Sequence, residues 1–267
     1  MASGTSGGRF EGKVAIVTGS SANPSIGRSC AVRLAREGAS VVINGRNVDQ
    51  LAATEKALID EGRSVAAVPG STLDDDVVVA LVDAALERFG RVDLVVNTVG
   101  GSPFQGTLET LDRPGLLGSI ELNTWPTVNL IKEATRRSMA DGGSVVNISS
   151  GSPNKTTAAM IAYAAAKASL NTLTRTMAAD LARRGIRVNA VSPGLTKTSA
   201  TQSFWEKDGG AGAGQRVPLQ RMTDADDIAA AVLFFLSEDS RQVTGMVMDV
   251  DGGNHLQSGG WSPFAGA

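Results

Sequence analysis

The sequence predicts an α/β fold in which one parallel, doubly wound sheet of seven strands carries helices on both faces. Three observations carry that expectation. Short apolar runs rich in β-branched residues, among them VAIV, SVVIN, DLVVN and SVVNI, recur along the chain with amphipathic stretches between them, and continuous runs of this kind are strands buried on both faces by helices. The first run leads straight into a glycine-bearing turn and a helix. The chain has 267 residues, 42% hydrophobic and 19% charged, enough to bury a sizeable core, and α/β folds of this length often stay undivided.

Residues 1–9, rich in Gly and Ser, read as a flexible leader to a single domain spanning 10–267. Residues 13–18 (KVAIVT) form the first strand. The turn that follows, GSSANPSIG at 19–27, opens a helix that runs through Glu37 and is stopped by Gly38. Strand, glycine turn and helix in this order make a dinucleotide-binding unit: glycine lets the backbone approach a diphosphate, and the helix start offers amide donors and partial positive charge. Gly19, Ser21, Ser25, Ile26 and Gly27 are its candidate contacts. The second strand, 40–44 (SVVIN), ends in Gly45-Arg46-Asn47. A carboxylate there would accept from a ribose 2′-hydroxyl and repel a 2′-phosphate. Gly45 holds that position instead, and Arg46 offers a planar fork to a phosphate, which favours NADP(H) over NAD(H).

Residues 48–61 make an amphipathic helix and 64–68 a third strand. Asp74, Asp75 and Asp76 cap a helix running to about Phe89, because carboxylates favour a first turn. Residues 92–97 (VDLVVN) are the fourth strand, followed by Thr98-Val99-Gly100. From 101 to 118 the chain reads as a loop with a short helix, whose Ser102 and Phe104 border a substrate, and a helix from about 120 to 137 carries Asn123. The fifth strand, 144–148, is closed by Ser150 at its carboxyl end, where open α/β sheets bind ligands. Thirteen residues on, Tyr163 stands four before Lys167 in an alanine-rich helix, a spacing that puts both side chains on one face. A free phenol titrates near ~10, and the neighbouring ammonium is expected to lower that value and equip the pair for acid/base work.

The sixth strand, 187–191, leads into Ser192-Pro193-Gly194-Leu195-Thr196-Lys197-Thr198. Residues 199–222 are the least regular, within a lid expected around 196–222. Phe204 and Trp205 precede a glycine-rich run at 209–214, a composition that suits a lid over substrate. A helix at 225–236, begun by Asp224, Asp226 and Asp227, a seventh strand at 247–250 and an Asp251-Gly252-Gly253 turn complete the pattern.

A net charge of −2 leaves no electrostatic footprint for nucleic acid or an anionic membrane. No apolar run approaches the ~18 residues of a spanning helix, and the first residues lack the hydrophobic stretch of a signal peptide, so a cytoplasmic protein is expected. With Cys30 the only cysteine and His255 the only histidine, an internal disulfide and a zinc site on paired Cys or His are excluded, and no metal is expected. Cys30 sits on an apolar helical stripe and reads as a core residue. Tyr163 is the chain's only tyrosine.

Ser150 followed by Tyr163-x-x-x-Lys167 resembles the catalytic core of the classical short-chain dehydrogenase/reductase family, whose fold is a Rossmann fold, and the resemblance covers about residues 10 to 255. The glycine turn departs from the family pattern: it is two residues longer and Ser25 replaces the middle glycine, as in the related enoyl-acyl-carrier-protein reductases. Those enzymes place the lysine seven positions after the tyrosine, and here that position is Leu170. Asn97-Thr98-Val99-Gly100 resembles the family's Asn-Asn-Ala-Gly with two substitutions, which implies cofactor contacts at Asn97 and Gly100. The resemblance further implies that the backbone of Asn123 holds a water in a proton path and that the Pro193-Gly194 turn runs past the nicotinamide. It also implies that Thr196 and Thr198 meet the carboxamide or a phosphate, and that Lys167 holds the ribose hydroxyls.

The implied activity is NADPH-dependent reduction of a ketone or aldehyde to an alcohol. Tyr163 would give the proton, Ser150 would bind the same oxygen, and Ser102, Phe104, Met160, Phe204 and Trp205 would line the substrate. Alternatives are an NAD-dependent alcohol dehydrogenase, an enoyl-thioester reductase and a non-catalytic dinucleotide sensor. Relatives are commonly tetramers or dimers, so a homo-oligomer is expected.

Overall fold

A computed structural model describes residues 8–139, 142–155 and 158–257; most of the expected leader, 1–7, and the end of the expected domain, 258–267, lie outside them. The strands are β1 (Val14–Val17), β2 (Ser40–Gly45), β3 (Val65–Pro69), β4 (Leu94–Asn97), β5 (Gly143–Ile148), β6 (Ile186–Pro193), β7 (Thr196–Lys197), β8 (Thr223–Asp224) and β9 (Val247–Val250). The helices are α1 (Ile26–Arg36), α2 (Val48–Asp60), α3 (Asp75–Phe89), α4 (Arg113–Arg137), α5 (Ile161–Leu181), α6 (Ala211–Gly214) and α7 (Ala225–Leu236).

Seven strands form one parallel sheet in the order β3-β2-β1-β4-β5-β6-β9. Strand order reverses between β1 and β4, and the crevice beyond the carboxyl ends at such a switch point is where open α/β sheets bind ligands. Side chains alternate across the strands. Ala15 and Val17 join α1 and α7 in one core with Cys30, Leu34, Ile228 and Phe235. Val14 and Ile16 face the other way, into a core with Leu81, Leu130, Val145 and Val188. Burial pushes the Cys30 thiol up to about 12, as befits a core residue.

One helix differs from expectation. α4 starts at Arg113 rather than near 120. Its N-cap is Asp112, which accepts from the Gly115 amide at 2.8 Å. Pro114, which reads as a breaker, sits in the first turn, where a missing N–H costs nothing. The segment expected as a lid is also more regular than its composition implies: a 3₁₀ helix (Ser199–Phe204) and the one-turn α6 lie within it, and β7 pairs with β8 to join its two ends.

Candidate active site

The glycine turn is closed by contacts only small residues allow. Gly19 has φ +65° and would, as alanine, strike the Thr98 hydroxyl. A Cβ at Gly27 would strike the Gly19 and Thr18 carbonyl oxygens, so this glycine lets α1 pack on the strand end. Ser25 is the N-cap of α1, accepting from the Arg28 amide at 3.1 Å, while Ile26 begins the helix. The first turn of α1 contains no acidic residue, whereas α3 has Asp75 and Asp76 there and α7 has Asp226 and Asp227. The start of α1 therefore carries no side-chain carboxylate to compete with an anion, a property it shares with the first turns of α4 and α5. Of these only α1 follows a glycine turn, so the residues present are compatible with a dinucleotide diphosphate.

At the end of β2, a Cβ on Gly45 would lie 2.5 Å from Ser21 Oγ. The place where a ribose-binding carboxylate would stand is filled by the turn itself. Ser20, which sequence reasoning passed over, fixes this corner: its amide donates to the Asn44 carbonyl at 2.7 Å and its hydroxyl to the Val17 carbonyl at 3.0 Å. Arg46 is exposed beside it.

At the ends of β4 and β5, buried polar side chains form a chain that sequence reasoning also missed. Asn97 donates to Asn147 at 2.9 Å, and Asn147 donates to Thr174 on α5 at 3.0 Å. The available signal was an asparagine inside an otherwise apolar strand run. Thr98 takes its place by bonding to Thr18, its amide donating to the hydroxyl at 3.0 Å. Gly100 is packed where a Cβ would lie 2.6 Å from Asn123 Oδ1 and 2.8 Å from Lys167 Nζ. Asn123 is fully buried and its side chain clamps the loop: it donates to the Gly101 and Ser119 carbonyls, both at 2.8 Å, and accepts from the Gly101 amide at 3.1 Å. Pro126, inside α4, has no N–H to offer the carbonyl four residues back, so the helix's freed carbonyl is that of Leu122, next to Asn123.

Ser150 lies two residues beyond β5 rather than closing it. Its hydroxyl donates to Ser152 Oγ at 3.1 Å and accepts from the Ser152 amide at 3.2 Å. Tyr163 and Lys167 are in the first two turns of α5. Lys167 is 3% exposed; its Nζ donates to the Ile148 carbonyl at 2.9 Å and lies 5.9 Å from the Tyr163 ring centre. The expected acidification of the phenol is not what the structure gives. Burial pushes Tyr163 up, and the hydrogen-bonding influence of Ser150 pulls only partly back. Burial likewise pushes Lys167 down to about 8. Desolvation of the charged form sets the direction for both groups. Ser150 nonetheless lies close enough to the Tyr163 phenol to favour its charged form, so the two groups face one region.

The remaining candidate residues lie at the end of β6, in the segment expected as a lid and around the start of α4. The Pro193 carbonyl accepts from the Gly151 amide at 3.2 Å, and Gly194 is packed so that a Cβ would lie 2.7 Å from that of Asp251. Thr196 is buried and donates to the Gly194 carbonyl at 2.9 Å. Thr198 caps the 3₁₀ helix through Thr201. Ser102 donates to the Phe104 carbonyl at 2.9 Å and approaches the Met160 sulfur at 3.9 Å. The Phe104 ring lies against Gly106 and Gly115 at the start of α4. Phe204 is 59% exposed. Trp205 faces a groove of about 500 Å³ on the outer side of the glycine turn, with Pro24, Arg28, Lys197 and Asp224; none of Ser150, Tyr163 or Lys167 lines it. The indole N–H donates to the Thr198 carbonyl at 3.0 Å.

A family profile described as "Enoyl-(Acyl carrier protein) reductase" matches residues 19–255. The chain is 36% identical to a 7alpha-hydroxysteroid dehydrogenase of Clostridium sardiniense, covering 96% of this chain and 98% of that one. It is 33% identical to a 3-oxoacyl-[acyl-carrier-protein] reductase of Thermotoga maritima, covering 92% and 98%. Among solved structures, a short-chain type dehydrogenase/reductase from Mycobacterium ulcerans superposes with a TM-score of 0.86 at 32% identity, covering 94% of this chain and 92% of that chain.

Proposed function

The chain belongs to the classical short-chain dehydrogenase/reductase family, and from that premise we propose that it is an NADPH-dependent reductase of ketones or aldehydes, working reversibly on the alcohol. The observation that carries the reading is the buried Lys167, held by the Ile148 carbonyl at the end of β5 one helical turn after Tyr163, whose phenol lies within the influence of Ser150. A nicotinamide dinucleotide, when bound, supplies the hydride. Gly19, Ser25, Ile26 and Gly27 would hold its diphosphate on the start of α1, and Asn97, Gly100, Pro193, Gly194, Thr196 and Thr198 would flank its nicotinamide half. Choice of NADP(H) is supported by Ser21 filling the carboxylate position beside Gly45 and by Arg46 at the strand end.

Tyr163 gives a proton to the substrate oxygen; its raised pKa keeps it protonated through neutral pH, the state a general acid needs. Ser150 donates a hydrogen bond to the same oxygen. Lys167, with a pKa of about 8, is mostly charged at neutral pH and would hold the ribose hydroxyls. Asn123 acts by clamping the Gly101 backbone next to that ammonium, with water in the proton path near the freed carbonyl of α4.

Lys155 binds Asn254 at 2.8 Å and Lys197 pairs with Asp224 at 3.2 Å, so both ammonium groups are engaged within the protein. This supports a neutral, partly apolar carbonyl compound bordered by Ser102, Phe104 and Met160. The enoyl-thioester alternative draws on the elongated turn, but position 170, where its lysine would stand, is Leu170, 1% exposed in the core. A cytoplasmic homo-oligomer, tetramer or dimer, completes the proposal; the exposed Leu117 and Trp125 on α4 are apolar surface for it. No helix among the described residues is long and apolar enough to cross a membrane. The test is a panel of apolar ketones and aldehydes assayed by loss of NADPH absorbance. Turnover with NADPH and little with NADH is expected; consumption of enoyl thioesters alone would overturn the reading.

A further inference from the structure

Asn23 and Pro24 stand in the elongated glycine turn, away from its two glycines, and the proposed chemistry gives them no task. The Pro24 carbonyl nevertheless collects both hydrogen-bond donors of one distant residue: the Ser199 amide at 2.9 Å and the Ser199 hydroxyl at 3.1 Å, across 175 positions of sequence. The turn is tied to α1 by Arg28, which donates to Asn23 Oδ1 at 3.3 Å. Ser199 opens the 3₁₀ helix of the lid directly after Thr198, and the Trp205 indole returns to the Thr198 carbonyl. The other end of the lid is fixed by the pairing of Thr196 with Thr223 and of Lys197 with Asp224.

We propose that Pro24 and Ser199 form a strap by which the elongated turn positions the lid, with Ser199 as the positioning residue. Dinucleotide on the turn and an ordered lid then favour one another. The strap rests on the dinucleotide reading above. A ligand that fixes the turn fixes the Pro24 carbonyl, hence Ser199, and by linkage an ordered lid returns the same factor to dinucleotide affinity. Each neutral hydrogen bond contributes roughly a two- to tenfold factor.

Ser199→Pro tests this with little disturbance of the backbone. Thr198 is extended (φ −140°, ψ 167°), as a residue before proline prefers, and proline is favoured at a first helical position. The variant removes both donors, while Ser199→Ala removes only the hydroxyl. NADPH affinity and tryptic cleavage after the exposed Lys207 and Arg216 are measured on the full chain, with and without NADPH. In the wild type NADPH is expected to protect these sites. Protection and affinity should fall about tenfold in Ser199→Pro and roughly threefold in Ser199→Ala. Should the proline variant fail to fold, the alanine variant decides by the same readouts. Lower thermal stability with unchanged protection and affinity would mark the bonds as merely structural and overturn the strap. A wild type that binds no dinucleotide would overturn the reading beneath it.

Discussion

At Gly19, Gly27 and Gly45 the expected cofactor surface is made of backbone, closed by contacts that a single added carbon would break. Around Ser150, Tyr163 and Lys167 it is made of side chains, two of them ionisable and largely buried, on a helix whose other residues are mostly small or apolar. Both regions lie at carboxyl ends of the same sheet, yet they answer to different physics. The first needs space and free amide donors, which a longer turn can also offer. The second needs particular atoms in particular protonation states. Substitutions in the first region should therefore move affinity and cofactor choice, and those in the second should move turnover.

The sharpest break would come from Tyr163→Phe, which removes the transferable proton and keeps the ring. Turnover is expected to fall by about 10²–10⁴-fold, with the NADPH dissociation constant, measured by fluorescence titration, changed by less than about threefold. A large loss of affinity with unaltered turnover would erase the distinction between the regions.

Lys167 sharpens it through pH. Its folded pKa, about 8, lies below the ordinary 10.5, so the unfolded chain binds more protons between those values, and stability rises as pH climbs from about 8 to 10.5. Below pH 8 the buried ammonium carries a cost of up to about 3 kcal/mol. Lys167→Met should thus be more stable than the wild type in urea at pH 6 and lose that advantage by about pH 10.5, while reduction activity collapses. A variant less stable at pH 6 would show that the bond to the Ile148 carbonyl outweighs desolvation. In the wild type, NADPH affinity should weaken as pH rises through about 8 and the ammonium discharges.

Cofactor choice is the corresponding lever in the first region. Gly45→Asp places a carboxylate where Ser21 already stands, so the single variant is expected to lose NADPH affinity by roughly tenfold or more through crowding and repulsion. Adding Ser21→Gly makes room, and the double variant should then prefer NADH in parallel titrations. Retained NADPH preference in the double variant would take the role away from this strand end.

The same contrast explains what the sequence made legible. Strands and helices that bury a continuous apolar pattern were readable almost to the residue, as with α7 (Ala225–Leu236) and β9 (Val247–Val250). The start of α4 was not, because Pro114, Gly115 and Gly118 look like loop until Asp112 is seen capping the Gly115 amide. Tyr163 and Lys167 were legible as neighbours through their spacing, but the direction of the phenol's shift was not. Spacing reports proximity and says nothing of how much water is removed, and here desolvation decides the sign. Trp205 failed to join Ser150 and Tyr163 for a related reason. Composition marked the lid, while the side on which its indole lies is set by the Thr198 carbonyl and the far face of the glycine turn.

The smallest expected effect tests why the first region works at all. α1 packs against α7, and both are capped at their first turns, but α7 supplies its own carboxylates in Asp226 and Asp227 while α1 has only the neutral Ser25. A helix start without carboxylates keeps its partial positive charge available to a ligand. Ser25→Ala would free the Arg28 amide and cost about 1 kcal/mol of stability, a shift readable by urea unfolding. Ser25→Asp should cap as well or better and so hold stability, yet it would put a negative charge where a diphosphate is expected, and NADPH affinity should drop below that of the alanine variant. Equal affinities for the aspartate and alanine variants would mean that the diphosphate lies away from the start of α1.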